Sequence, residues 1–206
     1  MGWAKGQELF PEGLVRHGEF LTTRYFEELK DKGDGWNASI RNPSPFFKER
    51  KRAFTGTSFL AIHVRRGDYV ELGDKFGPLG DDHLRVAVAL LKKRGGNREK
   101  ILMFADDTKA ARGLLSGALS AEDLVFLEPP EGADAAESLV LMTMATSHII
   151  SNSSFSMWGA LLSPHQGEVV APDPWMKGMP TPNQLLPKKW LRTSAFFYSV
   201  SPLECS

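Results

Sequence analysis

From Phe59 onward, the apolar positions of the chain switch repeatedly between the period of a strand and that of a helix. Phe59–Val64 is a short apolar run containing β-branched residues and reads as a buried strand. Residues 84–93 carry Leu84, Val86, Val88, Leu90 and Leu91 among basic residues. Asp81 and Asp82 precede them, Lys92, Lys93 and Arg94 close them, and Gly95-Gly96 follows, which together predict a dipole-matched helix. The same reading continues with a strand over 101–105, a helix over Thr108–Leu115 and a strand over 124–127 closed by Pro129-Pro130. It then gives a helix over 133–146, a strand over 148–151, a helix over 153–162 and a strand over 169–171. Strands alternating with helices at this spacing predict an α/β fold, a Rossmann-like parallel sheet covered on both faces.

The first sixty residues read differently. They hold charge-rich stretches at 26–32 and 48–52 and a turn-like Asn42-Pro43-Ser44-Pro45. One helix is expected over 19–30, on a stripe of Phe20, Tyr25, Phe26 and Leu29. The expected organisation is therefore an N-terminal arm (1–57), a Rossmann-like domain (58–173), and a proline-rich tail (174–206) with Trp175 and Trp190 that wraps over the domain.

Composition narrows the functional classes. A chain of 206 residues can bury a core without a disulfide or metal staple. Its single cysteine, Cys205, has no internal partner, which matches a reducing compartment or simply a protein that does not use disulfides. Lysine plus arginine equal aspartate plus glutamate at 25 each, so bulk charge gives no reason to expect nucleic acid as a partner. No run of about 18 apolar residues predicts a membrane span, and residues 1–10 lack the apolar core of a leader peptide. The expectation is a soluble, cytoplasmic protein whose anion sites, if any, depend on local placement of charge.

That placement is informative, because ligands of open α/β sheets bind at the carboxyl ends of the strands. Three polar clusters fall there. His63-Val64-Arg65-Arg66-Gly67-Asp68 leaves the first strand, Asp106-Asp107 leaves the second, and Ser151-Asn152-Ser153-Ser154-Phe155-Ser156 leaves the fourth and opens a helix. Two adjacent guanidiniums point in different directions, so one can face a ligand while the other braces the loop. Arginine matches phosphate oxygens with a planar, permanently charged fork. Gly67 permits a sharp turn or close approach, and Asp68 can orient an arginine or accept a proton from a hydroxyl. The competing reading is an exposed loop with a structural Arg–Asp pair. The embedded Arg66-Gly67-Asp68 tripeptide, following directly on a core strand, is a poor match for an adhesion signal.

The serines can cap their helix, and their hydroxyls and the helix N-terminus can also hold an anion. Asp106 and Asp107 are open to three uses: a metal, a ribose or guanine edge, or capping of the next helix. No third ligand sits at a spacing that favours the metal. His63 either helps position a nucleotide or is a hydrogen-bonded core residue. Met142, Met144, Leu139 and Leu141 read as core. No Gly-x-Ser-x-Gly or Cys/His arrangement supports a hydrolase.

These blocks resemble a known family. His63-Val64-Arg65-Arg66-Gly67-Asp68-Tyr69 is similar to the arginine-rich donor motif of the alpha-1,2-fucosyltransferases, glycosyltransferase family 11. Phe104-Ala105-Asp106-Asp107 resembles their second block, and the stretch from Ile149 through Ser151-Asn152-Ser153-Ser154-Phe155-Ser156 to Ala160 their third. Similar stretches flank them, at Tyr25-Phe26-Glu27-Glu28-Leu29, at Val170-Ala171-Pro172 with Trp175, and at Leu186-Pro187-Lys188-Lys189-Trp190, so the resemblance runs from about residue 20 to 193. It implies the donor-binding half of a GT-B-like enzyme that moves L-fucose from GDP-fucose to the 2-hydroxyl of a galactose-terminated glycan, with inversion and without metal or other cofactor. It also implies roles: Arg65 on the β-phosphate, Arg66 and Asp68 shaping that loop, His63 and Asp107 as nucleotide contacts, and Ser153, Ser154 or Ser156 at the diphosphate. Asp68 is the expected general base, ahead of Glu71 and Asp74.

The sequence departs from the family pattern in three places. Family members usually begin with a strand and a glycine-rich block that this chain lacks, so it resembles a truncated or split member, and a donor-binding module without transfer activity is the alternative reading, as is a different linkage. An acidic residue usually stands where Ser138 aligns, with Glu137 beside it here, and Met157 replaces a common tryptophan.

Overall fold

The computed structural model describes residues 39–71, 73, 77–94, 100–115, 124–165 and 167–197, with the side chains of Asp68 and Glu71 excepted. The helix expected over 19–30 lies outside the described residues. The chain divides into two compact units, and every element below belongs to the larger, Trp36–Thr181 with Lys189–Ser206.

In chain order the elements are α1 (Pro45–Phe54), β1 (Phe59–Val64), α2 (Gly67–Glu71), α3 (Asp81–Lys93), β2 (Lys100–Ala105), α4 (Thr108–Leu115), β3 (Leu124–Phe126), α5 (Ala135–Thr143), β4 (Ser147–Ile149), α6 (Ser154–Leu161), β5 (Val169–Asp173) and β6 (Leu191–Ser194). The six described strands form one sheet in the order β3-β2-β1-β4-β5-β6, and every neighbour runs parallel. This is the doubly wound order, with a reversal of direction between β1 and β4.

Alternation along β1 explains the two layers. All six of its residues are buried, as expected for a central parallel strand. Leu60, Ile62 and Val64 pack with Ile101 and Met103 of β2 against Leu84, Ala87, Val88 and Leu91 of α3 and Ala111 of α4. Phe59 and Ala61 face the other way, with Leu102 and Phe104, onto Phe47 of α1 and Val140, Leu141 and Met142 of α5. A strand places successive side chains on opposite faces, so one hexapeptide anchors both cores.

Three described elements escape the pattern reading. Helix α1 lies in the expected N-terminal arm, outside the one helix expected there: Ser44 accepts from the Phe47 N–H at 3.1 Å and Pro45 occupies the first helical position. Helix α2 is one short turn inside the arginine loop. Strand β6 comes from the tail, which adds an edge to the sheet through β5, and Trp175 and Trp190 are buried. Helix α5 ends at Thr143 instead of 146, because Thr146 turns to donate both its N–H (3.0 Å) and its hydroxyl (2.9 Å) to Phe59 O at the start of β1. Strand β4 accordingly covers Ser147–Ile149, which releases Ile150 and Ser151 into the loop beyond. None of the described helices is long and apolar enough to cross a membrane.

Candidate functional site

The direction reversal between β1 and β4 opens a crevice at the carboxyl edge of the sheet, where such folds hold ligands. The loop after β1 carries Arg65 and Arg66, and the loop after β4 carries Ser151–Ser153 and leads into α6. The two clusters singled out in the sequence therefore flank one crevice, and Asp106 reaches it from the end of β2.

Asp106 organises the arginine loop. Its Oδ1 accepts from the backbone N–H of Arg66 at 2.8 Å and from its own neighbour Asp107 at 3.0 Å. Its Oδ2 meets Arg65 Nε at 3.2 Å, with the two side chains 32% and 19% exposed. Gly67 leaves room for this carboxylate: a Cβ there would lie 2.8 Å from Asp106 Oδ2. Tyr69 supports Arg65 from the other side, with the guanidinium carbon 5.5 Å from its ring centre. The Tyr69 hydroxyl donates to Asn152 O at 3.0 Å, and Asn152 Nδ2 donates to Gly77 O at 3.2 Å.

His63 sits under this arrangement. Its Nδ1 and the Ser151 hydroxyl are 2.6 Å apart, and its ring lies 5.3 Å from that of Phe155. Burial, and secondarily the positive charge of Arg65, lower its pKa to about 3. The imidazole is therefore neutral at any working pH, tying β1 to the loop after β4 and adding no cation of its own.

The serines separate by depth. Ser156 is fully buried, and its hydroxyl is shared between the carbonyls of Ser151 (3.3 Å) and Ser153 (3.2 Å). That hydroxyl braces the entry to α6 from inside instead of facing a diphosphate. Ser153 is the N-cap residue, without a side-chain cap hydrogen bond, and 6% exposed. Ser154, at the first helical position, is exposed. Asp107 caps α4 by accepting from the Ala110 N–H at 2.9 Å, the third of its possible uses.

The structure thus brings His63, Arg65, Arg66, Ser153 and Ser154 to one edge and gives Ser156 and Asp107 structural work. Of Asp68 only the backbone, within α2, is described. Three roles do not follow from residue type and spacing: Asp106 as the partner of Arg65, Tyr69 as the ring beside that arginine, and Asn152 as the anchor of Tyr69. Only the position of Asp106 directly after an apolar strand offered a signal.

Electrostatically, an arginine fork and a helix N-terminus converge on one crevice, an arrangement suited to a diphosphate. The model of glycosyl transferase family 11 matches residues 51–189. An alpha-1,2-colitosyltransferase of Escherichia coli is 31% identical over 181 residues, covering 85% of this chain and 61% of that protein. The O-antigen biosynthesis glycosyltransferase WbnK of Escherichia coli is 30% identical over 122 residues, 57% of this chain and 39% of that one. The chain thus spans about three fifths or less of the length of these relatives. Among solved structures, the alpha-1,6-fucosyltransferase NodZ co-crystallised with GDP is 22% identical with a TM-score of 0.39, over 58% of this chain and 40% of that chain. The E. coli heptosyltransferase WaaC with ADP is 14% identical with a TM-score of 0.42, over 82% and 48%. Overlaps this partial do not assign a substrate. The family match, which extends over more than half of the sequence and takes in all three strand-end clusters, does settle descent: the chain belongs to glycosyltransferase family 11.

Proposed function

We propose that the crevice between β1 and β4 binds the diphosphate of GDP-fucose and that the chain carries the donor half of an inverting, metal-independent transfer of L-fucose to the 2-hydroxyl of a galactoside. The observation that carries this reading is the convergence of Arg65 and the N-terminus of α6 on one edge, each fixed by neighbours before any ligand arrives. In the reaction, the acceptor oxygen forms a bond to the sugar's anomeric carbon while the bond from that carbon to the β-phosphate oxygen breaks. The electron pair leaves on GDP. Arg65, with the N–H groups and Ser154 hydroxyl at the start of α6, offsets the charge that develops on the leaving phosphate, the task a divalent cation performs in other transferases. Asp68 takes the proton of the attacking hydroxyl.

The test is calorimetry with GDP-fucose in the presence of a chelator, followed by transfer to lactose. Arg65→Ala should weaken donor binding by about 10- to 100-fold, the worth of a charge-assisted hydrogen bond. Asp68→Asn should leave binding within about twofold and lower kcat by at least about 100-fold. Binding that requires added metal, or that survives Arg65→Ala, would overturn the donor reading. Binding without transfer would assign this chain a donor-holding role alone. A second reading is favoured by the 31% identity to an alpha-1,2-colitosyltransferase: the same site would move a colitosyl unit. Offering both sugar nucleotides in competition decides between them.

A further inference from the structure

Arg65 is held from two sides by groups that belong to different loops. Asp106, after β2, meets its Nε at 3.2 Å. Tyr69, in α2, lies against its guanidinium with 5.5 Å from carbon to ring centre. Tyr69 is itself anchored across the crevice, because its hydroxyl donates to the backbone oxygen of Asn152 at 3.0 Å. Asn152 is 2% exposed, sits in the loop that opens α6, and holds Gly77 O through its amide. The Tyr69 side chain therefore touches both the arginine and the loop leading to the helix N-terminus, the two features that the proposed donor site assigns to the diphosphate.

An arginine stem has many rotamers, and freezing it when a ligand arrives weakens binding. A guanidinium already resting on a ring avoids that cost, provided the ring is fixed. We propose that Tyr69 is a positioning residue for donor binding: its ring orients Arg65 toward the diphosphate, and its hydroxyl locks that ring to the loop opening α6, so that both anion-binding halves form one preset unit. The inference rests on the donor reading above and deepens it.

The experiment is a double-mutant cycle read as GDP affinity by calorimetry on the full chain, with GDP raised into the millimolar range so that weak binding is measured. Tyr69→Phe keeps the ring and loses the anchor, and should weaken GDP binding about fivefold. Tyr69→Leu loses both and should weaken it about 10- to 30-fold. In an Arg65→Ala background, Tyr69→Leu should change the affinity by less than about twofold, since the group through which it acts is gone. A purely structural tyrosine would cost the same in both backgrounds, and that additivity would overturn the proposal. So would wild-type affinity in both single variants. Thermal melts accompany each protein, and if Tyr69→Leu does not fold, Tyr69→Phe with and without Arg65→Ala carries the same cycle. Failure of the wild type to bind GDP is a different result, which removes the donor reading and this inference with it. Wild-type binding with unaffected Tyr69 variants removes the inference alone.

Discussion

Asp106 and Asp107 stand side by side, yet one gathers two backbone N–H groups and the Arg65 ion pair while the other caps α4. Neighbouring side chains leaving a strand diverge, so the pair could not share a task. Residue type and position announced a functional strand end, but which carboxylate faced the arginines depended on a backbone turn that no spacing rule supplies. The strictest residue-scale demand falls on Gly67, where a Cβ would meet Asp106 Oδ2 at 2.8 Å. Gly67→Ala sets two effects against each other. Alanine is a better helix former than glycine, though at the first residue of α2 the gain is only a fraction of the interior value of about 1 kcal/mol, while its methyl displaces the carboxylate that holds Arg65. Melting temperature should hold or rise slightly, and GDP affinity should fall severalfold; parallel thermal melts and GDP titrations would show the two measurements moving in opposite directions.

At the scale of elements, the strands with continuous apolar runs and the long amphipathic helix α3 were legible because burial alone specifies them. Helix α1 was not, although its signals were present: Ser44 as cap and Pro45 at the first position read as a turn when the following residues are mostly charged and only Phe47 is buried. What fixes α1 is distant in sequence. Glu137, 3% exposed near the start of α5, accepts from the Ser44 N–H and the Ser44 hydroxyl, both at 2.6 Å. A single carboxylate thus joins the entries of two helices. Glu137→Ala strands two donors and should cost about 2 to 4 kcal/mol, whereas Ser44→Ala loses the hydroxyl bonds and should cost about 1 to 2. The double variant should cost clearly less than the sum, by urea denaturation, because both substitutions remove the same hydroxyl–carboxylate bond. Strand β6 was illegible for a related reason: Leu191-Arg192-Thr193-Ser194 has little apolar content, and its identity comes from pairing with β5.

At the scale of the molecule, three of the histidines among the described residues are buried in the fold and held neutral. Burial lowers His63 to about 3 and His148 to about 4, and lowers His83 as well. In the unfolded chain each titrates near 6.5. Between about pH 6.5 and 4 the unfolded state therefore binds protons that the folded state refuses, so this contribution is intact above pH 6.5 and stability falls as the solution is acidified. His63 and His148 alone give a slope of about 3 kcal/mol per pH unit near pH 5. Urea denaturation at pH 5 and 5.5 measures that slope. His148→Gln, which retains an amide donor for Met142 O (now 3.1 Å from Nε2), should reduce it by about one proton's worth. A flat profile across this range would contradict the burial of these rings. Sequence periodicity could place these histidines on strands or a helix start, but only the assembled layers determine that they are buried.

The central place of β1 also has a consequence in time. Its apolar residues pair on one side with β2 and on the other with β4, and His63 and Ser151 are separated by 88 positions. During synthesis at about 5 to 20 residues per second, β1 emerges roughly 4 to 20 seconds before its second partner exists. Throughout that interval a six-residue hydrophobic edge waits unpaired, a segment of the kind that recruits copies of itself. Efficient production of the chain should therefore depend less on the stability of the finished sheet than on what shields β1 until β4 arrives.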